Sequence, residues 1–265
     1  MKMKFCSLSS GSSGNCQYIE TENSKILVDA GMSGKKIEEL LKSIDVEAKD
    51  LDAIFVTHEH NDHCAGVGVL SRRYDLPVFA NKDTWEAMLP TIKEVKESNI
   101  KVFDIEKDFE FRDLHIVPVP LFHDAVNANG FVLENEKSKV SIVTDTGWVS
   151  SDMKELILNS NLYFIESNHD EDMLKNGHYS WVLKQRILST RGHLSNFHTA
   201  TLLGEILKAN RERIILSHLS SDNNTPTLAY ETVYEYLDQK GYDIEREDVL
   251  LSVAPRYSAT ELIEL

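Results

Sequence analysis

The chain of 265 residues carries 28 Lys and Arg against 43 Asp and Glu, a formal charge of −15, and is 42% hydrophobic and 27% charged. That length buries a sizeable core, while twelve Gly and six Pro are too few for collagen, a mucin-like stalk or a low-complexity chain. The acidic balance repels polyanions at long range and excludes a general nucleic-acid coating protein, although not a local cationic site. Cys6, Cys16 and Cys64 include no C-x-x-C pair, so neither a disulfide framework nor a thiolate zinc cage is indicated and a reducing compartment is expected. The polar run from Cys6 to Gly11 interrupts any signal-peptide core, and no apolar run reaches the roughly 18 residues of a membrane span, which together predict a cytoplasmic protein.

Short β-rich runs alternate with helical patterns along the chain. Residues 25–29 and 52–57 read as strands ending in polar residues, on either side of a helix over 34–44 in which Ile37, Leu40, Leu41 and Ile44 share a face. A short strand at 78–80, a helix start at 84–89 and several strands over 101–120, turning near Arg112 and Asp113, follow. A strand pair over 130–134 and 139–144 precedes a helix at 152–159, a strand at 162–166, helices at 181–188 and 197–209, and a strand at 213–217. The last predicted helix, 227–240, has Leu228, Val233 and Leu237 on its apolar side and Thr225 or Thr227 to cap it. With no long Pro/Gly/Ser linker and no repeat of about 20 to 50 residues, one α/β domain (α+β in some schemes) over residues 1–265 is expected.

The most informative segment is Thr57-His58-Glu59-His60-Asn61-Asp62-His63, directly after the apolar run Ile54-Phe55-Val56. Three imidazoles and a carboxylate at the polar end of a buried strand offer the nitrogen and oxygen donors that suit zinc, iron or manganese. The H-x-H-x-D-H pattern of His58, His60, Asp62 and His63 resembles the signature of the metallo-β-lactamase superfamily. Later motifs align with it: Asp29 in Leu27-Val28-Asp29-Ala30-Gly31, His123 in Phe122-His123-Asp124, Asp145 in Thr144-Asp145-Thr146-Gly147, and His218 in Leu216-Ser217-His218-Leu219-Ser220. The resemblance implies an αββα four-layer sandwich. It also implies that His58, His60 and His123 hold one divalent ion, that Asp62, His63 and His218 hold a second, and that Asp145 bridges both. Asp29 would hold the loop and a ligand imidazole, or cap its strand end. His115 has no motif around it and reads as structural or exposed.

The second half resembles the phosphodiesterase and nuclease branch, including ribonuclease Z and ribonuclease J relatives, and within it the compact YycJ (WalJ) group associated with 5′-to-3′ exonuclease activity on DNA. The residues that carry this likeness are Ser9 to Asn15, Glu166 to Asp170, Gly192 to Asn196 and Ser217 to Thr225. The implied catalytic set is Asp62, His193 and Glu166, with Glu166 orienting His193 as it protonates the leaving oxygen. Ser12, Ser13, Asn15, Asn168, Ser195, Asn196 and Asn223 are candidate substrate contacts, although a hairpin loop explains the first three and a helix cap explains Ser195 or Asn196. His218 stands 73 positions after Asp145, too close for the cap domain of ribonuclease J and the repair nucleases. Basic residues near the motifs, Arg72, Arg73, Lys184, Arg186, Arg191, Arg211 and Arg213, are available to guide a phosphate strand or to serve as a solvated face.

The expected function is therefore a dinuclear metal-dependent phosphodiesterase, a 5′-to-3′ exonuclease on single-stranded or repair DNA in which a metal-bridged hydroxide attacks the phosphodiester. Manganese or zinc is the expected ion pair, with iron also accepted. The alternatives are a thioester or small cyclic-phosphate hydrolase of the same fold, or a noncatalytic or redox metal-binding member.

Overall fold

Alternation along one short strand shows how the layers arise: Ile54 packs toward helices, whereas its neighbours Ala53 and Phe55 pack toward a second sheet. The computed structural model describes residues 2–244 and 246–265. Its first half begins as an antiparallel meander of β1 (Lys4–Ser9), β2 (Cys16–Glu20) and β3 (Lys25–Val28). Helix α1 (Gly34–Lys42) then leads to β4 (Ala53–Phe55), α2 (Asn61–Cys64) and α3 (Val67–Tyr74) to β5 (Val78–Asn81), and α4 (Lys82–Ile92) to β6 (Ile100–Phe103), each strand added parallel to the last.

The second half repeats this plan. Strands β7 (Phe109–Phe111), β8 (Leu114–Pro120), β9 (Asn129–Glu134) and β10 (Lys139–Val143) are antiparallel. Parallel strands follow: β11 (Leu162–Glu166) after α5 (Ser151–Ile157), and β12 (Glu212–Ser217) after α6 (Glu171–Asn176), α7 (Trp181–Ile187) and α8 (Asn196–Ile206). Helix α9 (Pro226–Gln239) precedes the parallel edge strand β13 (Val249–Val253), and β14 (Ile263–Glu264) returns to pair with β1. The sheet orders are β14-β1-β2-β3-β4-β5-β6 and β13-β12-β11-β10-β9-β8-β7.

Apolar contacts separate into three interfaces. Ile37, Leu41, Leu70, Trp85 and Met88 cover one sheet from outside, and Met153, Ile157, Leu203, Val233 and Leu237 cover the other. Between the sheets lie Phe5, Ile26, Val28 and Phe55 against Phe131, Ile142, Leu162 and Phe164. The result is the expected αββα sandwich, and the interval from Asp145 to His218, where a cap domain would stand, is taken up by α5 to α8 and strands β11 and β12. Ser33, Asn81, Ser150 and Thr225 cap their helices through side-chain oxygens, Thr225 rather than Thr227 serving α9. Helix α8 stops three residues before the predicted end because Lys208 N and Asn210 N turn to the Glu212 carboxylate, 2.7 Å each. Cys6, Cys16 and Cys64 are buried free thiols. Among the described residues, no helix is long and apolar enough to cross a membrane.

Phe55 lies between the sheets with its ring stacked on Phe79 at 4.6 Å and edge-on to Phe131 at 5.9 Å. Phe55→Ala should cost about 3–5 kcal/mol in urea unfolding, the range for an aromatic removed from a closed core. A loss below about 1 kcal/mol would show that the sheets meet without it.

Candidate metal centre

The site lies at the carboxyl ends of the central strands of both sheets, where α/β architectures leave a crevice. In the first half β3 leads directly into Asp29, whose φ of 61° is left-handed, a conformation that Asp adopts more readily than most residues. This turn lets one carboxylate serve two segments. Oδ1 accepts from Thr57 N at 2.8 Å, while Oδ2 accepts from Thr57 Oγ1 at 2.8 Å and faces His63 Nδ1 at 2.7 Å. Thr57 Oγ1 also lies 3.0 Å from His58 Nδ1, so the Nε2 atoms of His58 and His63 are left to face the crevice. A Cβ on Gly31 would stand 1.6 Å from Asp62 O, which shows how closely the Asp29 corner approaches the histidine loop.

The second half supplies a matching corner. β10 leads through Thr144 to Asp145, again at φ 61°, and β12 leads to His218 at φ 51°. Gly147 is hemmed in like Gly31, since a Cβ there would lie 2.3 Å from Ser189 O. Asp145 Oδ2 is 3.1 Å from His63 Nε2 and 2.7 Å from His218 Nδ1, and its Oδ1 is 3.8 Å from His123 Nε2. The Nδ1 of His123 meets Gly192 O at 3.2 Å, and Arg191 Nε donates to His123 O at 2.9 Å. Ser10 Oγ accepts from His218 N at 2.8 Å, so the Ser/Gly loop between β1 and β2 braces the far wall.

Among the described residues, donor atoms gather into four overlapping groups, each within 4.8 Å: His58, His60 and His123; His58, His63 and Asp145; His123, Asp145 and His193; and Asp145, Glu166 and His218. Asp62 stands beside rather than within them, its Oδ2 3.7 Å from His63 Nε2. Electrostatics favour a cation. Burial pushes His58 well below the usual histidine range and lowers His123, which keeps both imidazoles neutral, as metal ligation requires. Burial also disfavours charge on His63, but Asp29 and Asp145 outweigh it and raise its pKa. His218 and His63 conversely overcome burial and hold Asp145 ionised. The mixed imidazole and carboxylate set therefore fits divalent zinc, manganese or iron.

A second cluster adjoins it. Glu166, fully buried at the end of β11, accepts from Thr146 N at 3.0 Å and faces His193 Nδ1 at 2.7 Å. Among the expected substrate contacts, Ser12 and Ser13 are exposed, and Ser12 and Asn168 line a cavity of about 200 Å³ with Asp124, Arg186, His193 and Ser220. Asn168 is itself buried, as are Asn15, Ser195, Asn196 and Asn223. Asn15 accepts from Gly11 N and lies 3.0 Å from His63 Nε2, Ser195 caps α8 through His198 N, and Asn196 joins Ser167 to Asn224. The polar atoms of Asn15, Ser195 and Asn196 hold the walls, whereas Asn223 Oδ1 has no partner among the described residues. His115, half-buried beside Glu110 and Asp108, is remote from the cluster in its pairing, as its lack of a motif predicts.

Asp124 and Thr57 have no role in the sequence-based expectation. Asp124 Oδ1 stands 3.2 Å from His123 Nε2 while its other oxygen pairs with Arg186. Position next to His123 was the available signal for Asp124; the signal for Thr57 was its place beside His58.

A family profile described as "Metallo-beta-lactamase superfamily" matches residues 10–218. The chain is 41% identical over 244 residues to "Exodeoxyribonuclease YycJ" of Bacillus anthracis, covering 92% of each. It is 41% identical over 264 residues to "Exodeoxyribonuclease WalJ" of Streptococcus pneumoniae, covering 99% of this chain and 98% of that protein. The crystal structure of the metallo-beta-lactamase fold protein YhfI from Bacillus subtilis shares the fold at TM-score 0.69 and 14% identity, over 98% of this chain and 99% of that one.

If Asp29 sets the His63 ring, Asp29→Asn should weaken binding of manganese or zinc about 10–100-fold in calorimetric titration while the far-ultraviolet spectrum is preserved. Unchanged affinity would remove Asp29 from the centre's support.

Proposed function

From the premise that the chain belongs to the metallo-beta-lactamase superfamily, we propose that it is a metal-dependent exonuclease that removes nucleotides from a 5′ end of DNA, single-stranded or exposed during repair. The observation that carries the proposal is the 2.7 Å pairing of His193 with buried Glu166, set against the donor cluster. Near-full-length likeness to two proteins named exodeoxyribonucleases supports DNA as the substrate. The unit acts as one domain over residues 1–265, and its unpaired thiols support a reducing, cytoplasmic setting.

In this proposal His58, His60 and His123 hold one ion, Asp62, His63 and His218 a second, and Asp145 both, with manganese or zinc favoured and iron compatible. Bound there, two divalent ions supply charge neutralisation at a phosphodiester and an activated water at neutral pH. The protein's own groups do the remaining work. Asp29 and Thr57 fix the ring of His63, Gly192 O fixes that of His123, and Asp62 keeps its carboxylate at the mouth beside His63. Ser12 and Asn168 border the opening through which the strand enters, with Ser13 exposed next to Ser12.

His193 is the proton donor to the leaving oxygen. Its Nδ1 is engaged by Glu166, which leaves Nε2 for transfer. Burial opposes the charged ring, but Glu166, followed by Asp145 and Asp124, outweighs burial and pushes the pKa up to about 9. The acid is thus charged at neutral pH, and its contribution disappears as pH rises through that value.

End-labelled DNA carrying a 5′ label should yield a mononucleotide first, lose no nucleotides in the presence of a chelator, and be cut again on adding Mn²⁺ or Zn²⁺. Intact DNA beside a cleaved thioester would overturn the substrate assignment. His193→Ala should lower kcat about 10²- to 10⁴-fold with metal content unchanged. Glu166→Gln should move the alkaline limb of kcat/KM to lower pH by about 1–3 units, since the charge that raises the His193 pKa is gone; an unmoved limb would mean that another group limits the rate.

A further inference from the structure

Two aromatic rings stand in solvent beside the donor cluster. Phe122, next to His123, and Trp148, three positions after Asp145, are 36% and 48% exposed, and their rings meet edge to face with centroids 4.9 Å apart. Their backbones are tied together. Gly147 N donates to Phe122 O at 2.9 Å, Phe122 N donates to Thr146 Oγ1 at 3.1 Å, and that hydroxyl donates to Trp148 O at 2.7 Å. The contact of Gly147 with the 189–192 turn leaves this corner no room to shift. The pair is therefore mounted rigidly on the two loops that carry His123 and Asp145.

Trp148 also walls a cavity of about 380 Å³, whose apolar lining includes Val149, Leu188, Leu194 and Leu202, with Thr190 and His198 among its polar groups. Leu194, which follows the proposed proton donor His193 in the chain, lines this cavity with the exposed indole. An exposed aromatic edge beside an apolar hollow marks a surface suited to binding a flat partner.

Charge decides which partner. The protein carries −15, and the basic side chains near the motifs already serve protein oxygens: Arg72 at Ile92 O, Lys184 at Gly177 O, Arg191 at His123 O, and Arg186 at Asp124. A phosphate backbone thus finds few free cations, and salt-dependent contacts are a weak source of affinity. Stacking of a base on an aromatic face is indifferent to net charge and contributes roughly five- to 150-fold in affinity per base.

We propose that Phe122 and Trp148 form a stacking platform for a nucleobase of the strand whose phosphate lies at the metal centre, with the base covering the adjoining cavity. This rests on the DNA-cleaving function proposed above and adds the element that holds the strand. Phe122 braces the indole through their edge-to-face contact, and Trp148, the more exposed of the two, supplies the stacking surface.

The test compares Trp148→Ala and Trp148→Tyr with the unsubstituted, metal-loaded protein on an oligonucleotide and on the same oligonucleotide with abasic terminal positions. KM for intact DNA should rise about tenfold in Trp148→Ala with kcat changed less than about twofold, and Trp148→Tyr should recover most of the loss. Abasic DNA should bind weakly to all three proteins and not discriminate among them. In a Trp181→Phe background, oligothymidylate should quench the fluorescence of Trp148 saturably, since Trp85 is buried. An unchanged KM in a cleaving Trp148→Ala protein, or equal sensitivity of abasic and intact DNA, overturns the platform and leaves the nuclease proposal standing. Should the protein cleave no DNA, the nuclease proposal fails, and the quenching titration alone decides the platform: saturation upholds base binding, and no response, as expected of a protein-docking patch, overturns it.

Discussion

Asp145 stands where the two halves of the molecule meet, its Oδ2 facing His63 of the first half at 3.1 Å and His218 of the second at 2.7 Å. A carboxylate so deeply buried is costly unless compensated, and imidazoles from both sides supply the compensation. The interface of Phe55, Ile26 and Val28 with Phe131, Ile142 and Phe164 brings the strand ends to this distance. Apolar packing between the sheets therefore sets the register of the polar centre, and the polar centre in turn fixes which ends of the strands can face one another.

Much of this was legible in the sequence because the central strands are apolar and end abruptly in polar letters. Residues 162–166 were read as a strand with the same bounds as β11, and Asp29, His58, His60, His63, His123, Asp145 and His218 could be aligned by motif. The edges were not legible. β1 contains Ser7 and Ser9 and leads to Ser10, all buried, so polar letters occupy buried positions and break the apolar alternation by which a strand is recognised. Ser9 Oγ donates to Gly14 O and Ser10 Oγ holds His218 N, tasks invisible in composition. α3 contains Gly68, a helix-weakening residue kept because a Cβ would lie 2.0 Å from Ile92 O. The strands β13 and β14 take their places from pairing with β12 and β1, far away in sequence.

The same limit explains the division among the candidate substrate residues. Ser12 and Asn15 lie in one Ser/Gly loop, yet the first reaches solvent and the second turns inward to His63. Ser195 and Asn196 stand two and three positions after His193, but capping and the Ser167 to Asn224 network take up their polar atoms. A side chain's residue type states which bonds it can make; only the fold states which partners reach it first.

The paired corners at Asp29 and Asp145 have a wider consequence. Each half contributes a left-handed aspartate followed two positions later by a glycine pressed against a neighbouring loop. The centre is consequently a seam shared by two similarly built moieties, and neither owns a complete set of donors. Dividing the chain between the two sheets would send His58, His60 and His63 one way and His123, Asp145 and His218 the other, so the donor set exists only in the joined pair.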